Sequence, residues 1–196
     1  MPKAKGKIFI ISGPSGSGKT TLHKRLLLSG RLKGKLIKSI SATTREKRPG
    51  ERHGRDYLFL AARDFLAKKD KGYFLEWQKV FDHFYGTPLD AVKKILRTGK
   101  NVLLCIDVKG ARVVGKQFSD CVKIFIKTPS WAVLKERLQG RASESGRELL
   151  HRLKVARQEM KEAKRYDYVV SNDTIARAFR ELESIVISQL QKDTKK

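Results

Sequence analysis

Acidic residues are scarce in this chain of 196 residues, which carries 44 lysines and arginines against 20 aspartates and glutamates and a formal net charge of +24. The imbalance is strongest in residues 1–50, where 13 basic side chains accompany one acidic side chain, Glu46. Such an excess indicates a polyanionic partner, and nucleotides and nucleic acids both qualify. A solvated surface of mutually repelling charges is the alternative, and net charge alone does not separate the two.

Cysteines and long hydrophobic runs are also few. Cys105 and Cys121 stand 16 positions apart without a Cys-x-x-Cys pair, which excludes a disulfide framework and a zinc site. Cys105 lies in the apolar run 102–106, so we predict a buried thiol. The apolar run near the basic N-terminus is too short for a signal peptide, and no stretch approaches the ~20 apolar residues of a membrane span. We expect a soluble, cytoplasmic protein of one domain with room for inserted subdomains.

The most specific motif is Gly13–Thr20, which reads Gly-Pro-Ser-Gly-Ser-Gly-Lys-Thr and matches the phosphate-loop pattern G-x-x-x-x-G-K-[ST]. The apolar run Ile8–Ile11 predicts a strand before it, and leucines at helical spacing predict a helix after it. Its glycines let backbone N–H groups point at a phosphate near the positive end of that helix. We expect Lys19 to reach the β- and γ-phosphates of a nucleotide and Thr20 to hold Mg²⁺. A plain glycine-serine loop is the alternative, which the strand–loop–helix context disfavours.

Strands and helices alternate along the rest of the chain, which predicts an α/β fold with a parallel sheet covered by helices on both faces. Residues 42–87 are too long for a plain connection and are interpreted as an inserted substrate-binding subdomain. Further strands are expected at 36–41, 72–81, 101–108, 121–127 and 166–170. Helices are expected at 63–69, 89–96, after a Ser130 cap, at 149–163 and from Ile175, with a turn at Phe84–Pro88.

The segment Ser41–Tyr57 offers two guanidinium groups, those of Arg45 and Arg48, three residues apart. Planar guanidinium groups match phosphate oxygens bidentately, so the segment suits the phosphate of a second substrate. On composition alone, an ordinary exposed basic loop explains the same residues equally well.

Two carboxylates also stand out. Glu76 lies in an aromatic, apolar stretch, where it either pairs with an arginine or accepts the adjacent N–H donors of guanine. Asp107 ends a predicted buried strand, where ligands bind in open α/β sheets and where an acidic residue helps to order Mg²⁺. Four arginines lie around residues 140–146: Arg137, Arg141, Arg147 and Arg152. As a group they could neutralise the charge of the donor phosphates during transfer, although any single one is better explained as a surface residue.

These motifs together resemble guanylate kinases over nearly the whole chain. Besides the phosphate loop, the resemblance rests on Ser41-Ala-Thr-Thr-Arg45-x-x-Arg48-x-Gly50-Glu51-x-x-Gly54-x-Asp56-Tyr57. Shorter matches are Phe74-Leu-Glu76-Trp77, Tyr85-Gly86-Thr87, Ile106-Asp107-Val-x-Gly110-Ala111, Arg137-Leu-x-x-Arg141 and Tyr168-Val-Val-x-Asn172-Asp173. The resemblance implies phosphoryl transfer from ATP to GMP, and to dGMP, with Mg²⁺. It also implies a nucleoside-monophosphate-kinase-like core (about 1–41 and 88–196), a GMP-binding insert (about 42–87) and a lid (about 138–150).

The resemblance further implies a role for each matching residue. ATP binding is assigned to Gly13, Pro14, Ser15, Gly16, Ser17, Gly18, Lys19, Thr20, Thr21 and Asn172. The GMP phosphate is assigned to Arg45, Arg48, Tyr57 and Tyr85, and guanine to Ser41, Glu76, Thr87 and Asp107. Catalysis is assigned to Lys19, Arg45, Arg137, Arg141 and Arg152, and Mg²⁺ to Thr20 and, through water, Asp107. Cys105 departs from the family, which usually has an acidic residue there.

Three other functions compete with this one. A kinase of another phosphorylated acceptor, such as a sugar bisphosphate, is disfavoured by Glu76 and Thr87, since a sugar has no guanine edge. A phosphopeptide-binding module without catalysis is disfavoured by the intact Lys19 and Thr20. A nucleic-acid-binding role for the basic surface stays open beside catalysis, and salt-sensitive binding would reveal it.

Overall fold

The structure, a computed structural model, describes residues 6–80, 82–140 and 146–194. The strands are β1 (Ile8–Ser12), β2 (Leu36–Lys38), β3 (Ala42–Thr43), β4 (Leu58–Phe59), β5 (Phe74–Val80), β6 (His83–Pro88), β7 (Asn101–Cys105), β8 (Val122–Lys127) and β9 (Tyr168–Ser171). The α-helices are α1 (Lys19–Leu28), α2 (Ala62–Asp70), α3 (Leu89–Arg97), α4 (Val108–Gln117), α5 (Trp131–Gln139), α6 (Gly146–Lys161) and α7 (Ile175–Thr194). A short 3₁₀ helix, Glu162–Arg165, follows α6.

The chain forms two compact units. Unit 1 takes in Gly34–Leu104 and Lys109–Cys121, together with the described residues before Phe9. Unit 2 takes in Phe9–Lys33, Cys105–Val108 and the described residues from Val122 onward. Among the described helices, none is both long enough and apolar enough to span a bilayer.

Unit 2 contains parallel strands and the phosphate loop. β1 pairs with β8, with Ile11 opposite Ile124, and β8 pairs with β9. Every residue of β1 is buried, as expected for a uniformly apolar strand of a parallel sheet. α5 packs on α6 through a small apolar cluster of Leu134, Leu138 and Ala156.

Unit 1 contains a parallel pair and a second, mixed sheet. β2 pairs in parallel with β7, with Leu36 opposite Asn101. The second sheet has the order β4-β3-β6-β5, in which β6 runs antiparallel to both of its neighbours. Phe65 of α2 covers this sheet, and its ring stacks on the ring of Phe74 with centroids 4.4 Å apart. A Cβ on Gly86 would lie 2.8 Å from the Phe74 ring, so only glycine fits beside this contact.

Most predicted elements are confirmed, and four predictions need correction. The predicted turn at Phe84–Pro88 is wrong, because these residues belong to β6, whose pairing with distant strands leaves no local signature. The second strand ends at Lys38 rather than at residue 41. The strand predicted at 101–108 ends at Cys105, because Val108 already begins α4, a helix that was not predicted. The Cys105 thiol, predicted to be buried, is half-buried. The cap of α5 is confirmed, since Ser130 Oγ accepts from the N–H of Val133 at 3.2 Å.

Candidate functional site

The phosphate loop has the predicted position between β1 and α1 in unit 2. Gly13 has a φ of 149°, and a Cβ there would lie 2.1 Å from the backbone oxygen of Ile126. Gly18 precedes α1 in the left-handed conformation, with a φ of 87°. Because glycine brings no capping side chain, it leaves the first N–H groups of α1 to an anion.

The lysine and hydroxyl groups of the loop lie at the start of α1. Lys19 is half-buried, and its Nζ donates to the carbonyl of Pro14 at 3.3 Å. The N–H of Ser17 donates to the same carbonyl at 3.1 Å, which closes the loop into a turn. Thr20 and Thr21 are exposed on the first turn of the helix. The ammonium group is therefore held at the loop, and Thr20 lies next to Lys19 in the first turn of α1.

Asn172, directly after β9, makes a hydrogen bond to the phosphate loop. Its amide Nδ2 donates to the carbonyl of Ser17 at 2.8 Å, and only 1% of the residue is exposed. A Cβ on Gly18 would lie 2.1 Å from that nitrogen, so the close approach requires glycine. The backbone carbonyl of Asn172 accepts from Nη2 of Arg137 at 3.2 Å. One residue therefore contacts both the loop and an arginine predicted to be catalytic.

Asp107 belongs to unit 2 and lies two residues after the end of β7. Burial of Tyr166 raises the pKa of its phenol, and the negative charge of Asp107, together with other nearby carboxylates, raises it further. The phenol therefore remains neutral. Arg152 is half-buried on α6. Arg141, also predicted to be catalytic, lies outside the described residues.

In unit 1, Arg45 is held by Glu51. Nη2 of Arg45 donates to both carboxylate oxygens, at 2.9 and 3.0 Å. Burial alone would lower the pKa of Arg45, but the hydrogen bond and charge of Glu51 raise it. Burial would likewise raise the pKa of Glu51, but the hydrogen bond from Arg45 lowers it. The guanidinium group is therefore charged and fixed in direction.

Tyrosine rings and a second arginine surround this ion pair. The guanidinium carbon of Arg45 lies 5.6 Å from the ring centre of Tyr57, which meets the ring of Tyr85 edge-on at 6.2 Å. The side chain of Arg48 is exposed, while its N–H donates to Glu51 Oε2 at 2.9 Å. The four residues predicted to hold the acceptor phosphate are thus linked to the Arg45–Glu51 pair, either directly or through a neighbouring ring.

Glu76 and Thr87 face each other across β5 and β6. Thr87 Oγ1 donates to Glu76 Oε1 at 2.6 Å, and the two residues are 0% and 6% exposed. A buried carboxylate is costly unless it accepts hydrogen bonds, and Thr87 supplies one. Ser41 lies half-buried immediately before Ala42, which pairs with Gly86 beside Thr87. Glu76 and Thr87 therefore lie on adjacent strands of one sheet, and Ser41 directly precedes a third strand of that sheet.

Two roles were missed in the sequence. Glu51 stands in the motif that carries the resemblance, yet nothing assigned it to Arg45. Its position as one of few acidic residues in a basic segment was the usable signal. The hydrogen bond from Asn172 to Ser17 joins residues 155 positions apart, so no local sequence pattern predicts it.

These features define a class of protein: an α/β phosphate-loop protein with a second, arginine- and tyrosine-rich cluster that suits another phosphate. The chain belongs to the guanylate kinase family, whose model matches residues 5–189.

Individual relatives agree with this assignment. The chain is 43% identical over 188 residues to a guanylate kinase of Caldanaerobacter subterraneus, covering 95% of this chain and 89% of that protein. It is 40% identical over 187 residues to a guanylate kinase of Geobacter metallireducens, covering 95% and 91%. The crystal structure of guanylate kinase from Anaplasma phagocytophilum matches with a TM-score of 0.77 and 31% identity, covering 95% of this chain and 87% of that chain. The predicted family and fold class are confirmed.

Proposed function

We propose that this protein is an ATP:GMP phosphotransferase that converts ATP and GMP into ADP and GDP. The observation that carries the proposal is the buried Glu76–Thr87 pair in a guanylate kinase family chain whose phosphate loop is intact. We extend the acceptor to dGMP, since the predicted contacts are made to base and phosphate rather than to sugar.

On the donor side, the phosphate loop and the first turn of α1 bind the ATP phosphates. Lys19 follows the charge on the transferring group, and Arg137, Arg141 and Arg152 neutralise further charge in the transition state. Asn172 is assigned to the adenine side of this site through the resemblance. Transfer is direct, because an oxygen of the GMP phosphate attacks the γ-phosphorus and ADP leaves with the bridging oxygen. Positioning and electrostatics therefore lower the barrier, and no covalent enzyme intermediate is needed.

On the acceptor side, Arg45 and Arg48 bind the phosphate of GMP together with Tyr57 and Tyr85. Glu51 supports this role, because both of its carboxylate oxygens accept from Nη2 of Arg45 and so fix a guanidinium group that would otherwise sample many rotamers. Guanine presents N1–H and N2–H₂ side by side, and a carboxylate has lone pairs for both beside the bond from Thr87. Ser41 and Asp107 complete the guanine assignment.

Two oxygen-bearing residues of unit 2 suit a magnesium ion. Thr20 offers a hydroxyl and Asp107 a carboxylate, both hard oxygen donors. The described residues contain no group of three or more His, Cys, Asp or Glu that could hold a metal. This set fits Mg²⁺ carried largely by nucleotide phosphates rather than by a protein cage. When bound, the ion would neutralise charge on the β- and γ-phosphate oxygens.

The domain boundaries predicted from the sequence are retained in the proposal. Residues 42–87 are the GMP-binding insert, and the separate sheet formed by β3 to β6 supports that interpretation. Residues 138–150 are proposed as the lid. We place the protein in the cytoplasm, where the thiols of Cys105 and Cys121, which form no disulfide, would stay reduced.

A coupled ADP-release assay tests the proposal. The purified protein is given ATP and Mg²⁺ with GMP, dGMP, AMP, UMP or CMP in turn. We expect turnover with GMP and dGMP and discrimination of about 10⁴ or more against AMP. Turnover of another monophosphate in preference to GMP would assign the acceptor site to a different base, and ADP release without any acceptor would show hydrolysis.

A further inference from the structure

Five cations that the proposed function does not use lie together at one edge of unit 1. We define this basic edge as Lys7, Lys35, Lys94, Arg97 and Lys100. None of the five belongs to the phosphate loop or to the predicted acceptor cluster.

Asn101 joins the first two cations through the backbone. The N–H of Lys7 donates to Asn101 Oδ1 at 2.9 Å. The backbone N–H and the side-chain amide of Asn101 both donate to the carbonyl of Lys35, at 3.1 and 2.9 Å. Lys7, Lys35 and Lys100 therefore lie where three neighbouring segments enter the sheet, at spacings of about 5 Å from one segment to the next.

Gly6 brings the end of α3 to the same place. Its N–H donates to the carbonyl of Leu96 at 3.4 Å, in the last turn of the helix that carries Lys94 and Arg97. A Cβ on Gly6 would lie 1.9 Å from the carbonyl oxygen of Lys100. The two helix cations are therefore continuous with the three cations of the strand edge.

Four of the five cations have few acidic residues close to them in the sequence and no ion pair in the described structure. Residues 6–45 and 91–106 contain no aspartate or glutamate, and the nearest acid of α3, Asp90, is in its first turn. Within the part of the chain that the structure describes, four members are exposed and join no ion pair: Lys35, Lys94, Arg97 and Lys100. The positive potential of this edge is therefore presented to solvent.

The chemistry of the edge favours one kind of polyanion. Binding to an anionic membrane surface uses apolar side chains that insert between lipids, and protein interfaces have an apolar centre. The large hydrophobic side chains exposed in the described residues lie elsewhere in the chain: Leu28, Leu66, Trp77, Trp131, Leu150 and Val169. Closely spaced cations without an apolar anchor match the phosphate backbone of a nucleic acid, which binds through charge alone.

We propose that the basic edge binds the phosphate backbone of nucleic acids without reading their sequence. The interaction is separate from phosphoryl transfer and uses none of the residues assigned to ATP or GMP. It gives a function to part of the net charge of +24, which small nucleotide substrates do not require.

The test compares two variants of equal net charge. The edge variant carries Lys35→Gln, Lys94→Gln, Arg97→Gln and Lys100→Gln. The control variant removes four exposed cations of unit 2 in the same way: Lys135→Gln, Lys154→Gln, Lys164→Gln and Arg180→Gln. Binding to a fluorescein-labelled DNA duplex and to a single-stranded RNA is measured by anisotropy between about 50 and 200 mM salt, both without nucleotides and with saturating ATP and GMP. Vesicles containing phosphatidylserine serve as the competing polyanion.

We expect the full chain to bind both nucleic acids with a steep salt dependence. The edge variant should lose up to about 3.6 from the slope of log K against log salt on duplex DNA, and the control less than about 1. Guanylate kinase rates of both variants should stay within about twofold of the parent. Equal losses in the two variants, abolition of binding by ATP and GMP, or preferential binding to vesicles would each overturn the proposal.

Discussion

The hydroxyl of Thr87 donates a 2.6 Å hydrogen bond to the carboxylate of Glu76, and both side chains are buried. The bond crosses from β6 to β5, so the sheet itself determines where the carboxylate points. A carboxylate fixed in this way accepts hydrogen bonds from guanine but rejects adenine, because adenine would place a ring nitrogen lone pair against a negative oxygen.

Replacing Glu76 with glutamine should therefore alter base choice. Glu76→Gln keeps the shape, but its amide offers one donor and one acceptor, which no longer matches the paired donors of guanine. We expect kcat/KM for GMP to fall about a hundredfold or more and the ratio of GMP to AMP turnover to narrow. Steady-state kinetics on both nucleotides measure this, with Glu181→Gln on the exposed face of α7 as control. An unchanged GMP/AMP ratio would make Glu76 a purely structural residue.

The bond from Asn172 to Ser17 should matter for the phosphate loop. Asn172→Asp replaces a donor by a carboxylate facing the Ser17 carbonyl, so we expect unfolding free energy to fall by about 1–3 kcal/mol. We also expect the KM for ATP to rise more than the KM for GMP, because the loop is displaced. Urea unfolding and the two KM values check this, and Gln158→Asp, an exposed amide-to-acid change, is the control. A variant with both KM values raised equally would contradict a specific effect on the loop.

The ion pair of Glu51 with Arg45 predicts a pH-dependent stability. The pKa of Glu51 is lowered on folding from its ordinary value of 4.5, so the pair stabilises the protein above about that pH. The contribution is lost as the pH falls through the lower, folded value. We expect Glu51→Gln to be less stable than the parent by about 1 kcal/mol near neutral pH, with the gap closing in acid. Urea unfolding across pH measures the gap, with exposed Glu46→Gln as control, and a gap independent of pH would exclude the ion pair as its source.

Lys19 should be needed for chemistry and not for folding. Lys19→Met removes the ammonium group at the phosphate loop, and we expect kcat to fall at least about a hundredfold. Lys24→Met, five residues further along the same helix and exposed, is the matched control. Thermal melts should show both variants folded. A kcat near that of the parent for folded Lys19→Met would refute the proposed transfer mechanism.

Replacing Cys105 with aspartate tests the role of the carboxylate that the family usually has at this position. Because the thiol is half-buried, Cys105→Asp can keep the new charge partly hydrated, and we expect a melting temperature close to that of the parent. We also expect turnover to saturate at lower Mg²⁺ concentration if the side chain reaches the metal. Cys121→Asp, at the buried cysteine, should unfold at lower temperature and serves as contrast. A clear loss of stability in Cys105→Asp with unchanged Mg²⁺ dependence would reject this role.

Local patterns were enough for the elements that carry their own signals. The β1 strand, the phosphate loop and α1 follow from an apolar run, three glycines and helical leucines within about twenty residues. β6 was predicted as a turn because Gly86 and Pro88 are turn residues. Its strand state depends on pairing with β3 and β5, and Gly86 is required there by the Phe74 ring rather than by a turn.

The sequence by itself determined the family, the α/β class and the residue types available for phosphate and guanine, because motifs with fixed spacing encode local backbone geometry and chemistry. Only the tertiary structure decided which groups meet. Glu51 fixes Arg45, Thr87 fixes Glu76, and Asn172 fixes the phosphate loop across 155 residues. Strand register and burial determine these partners. A polar group that is removed from water needs a hydrogen bond, and the tertiary fold determines which partner lies within reach.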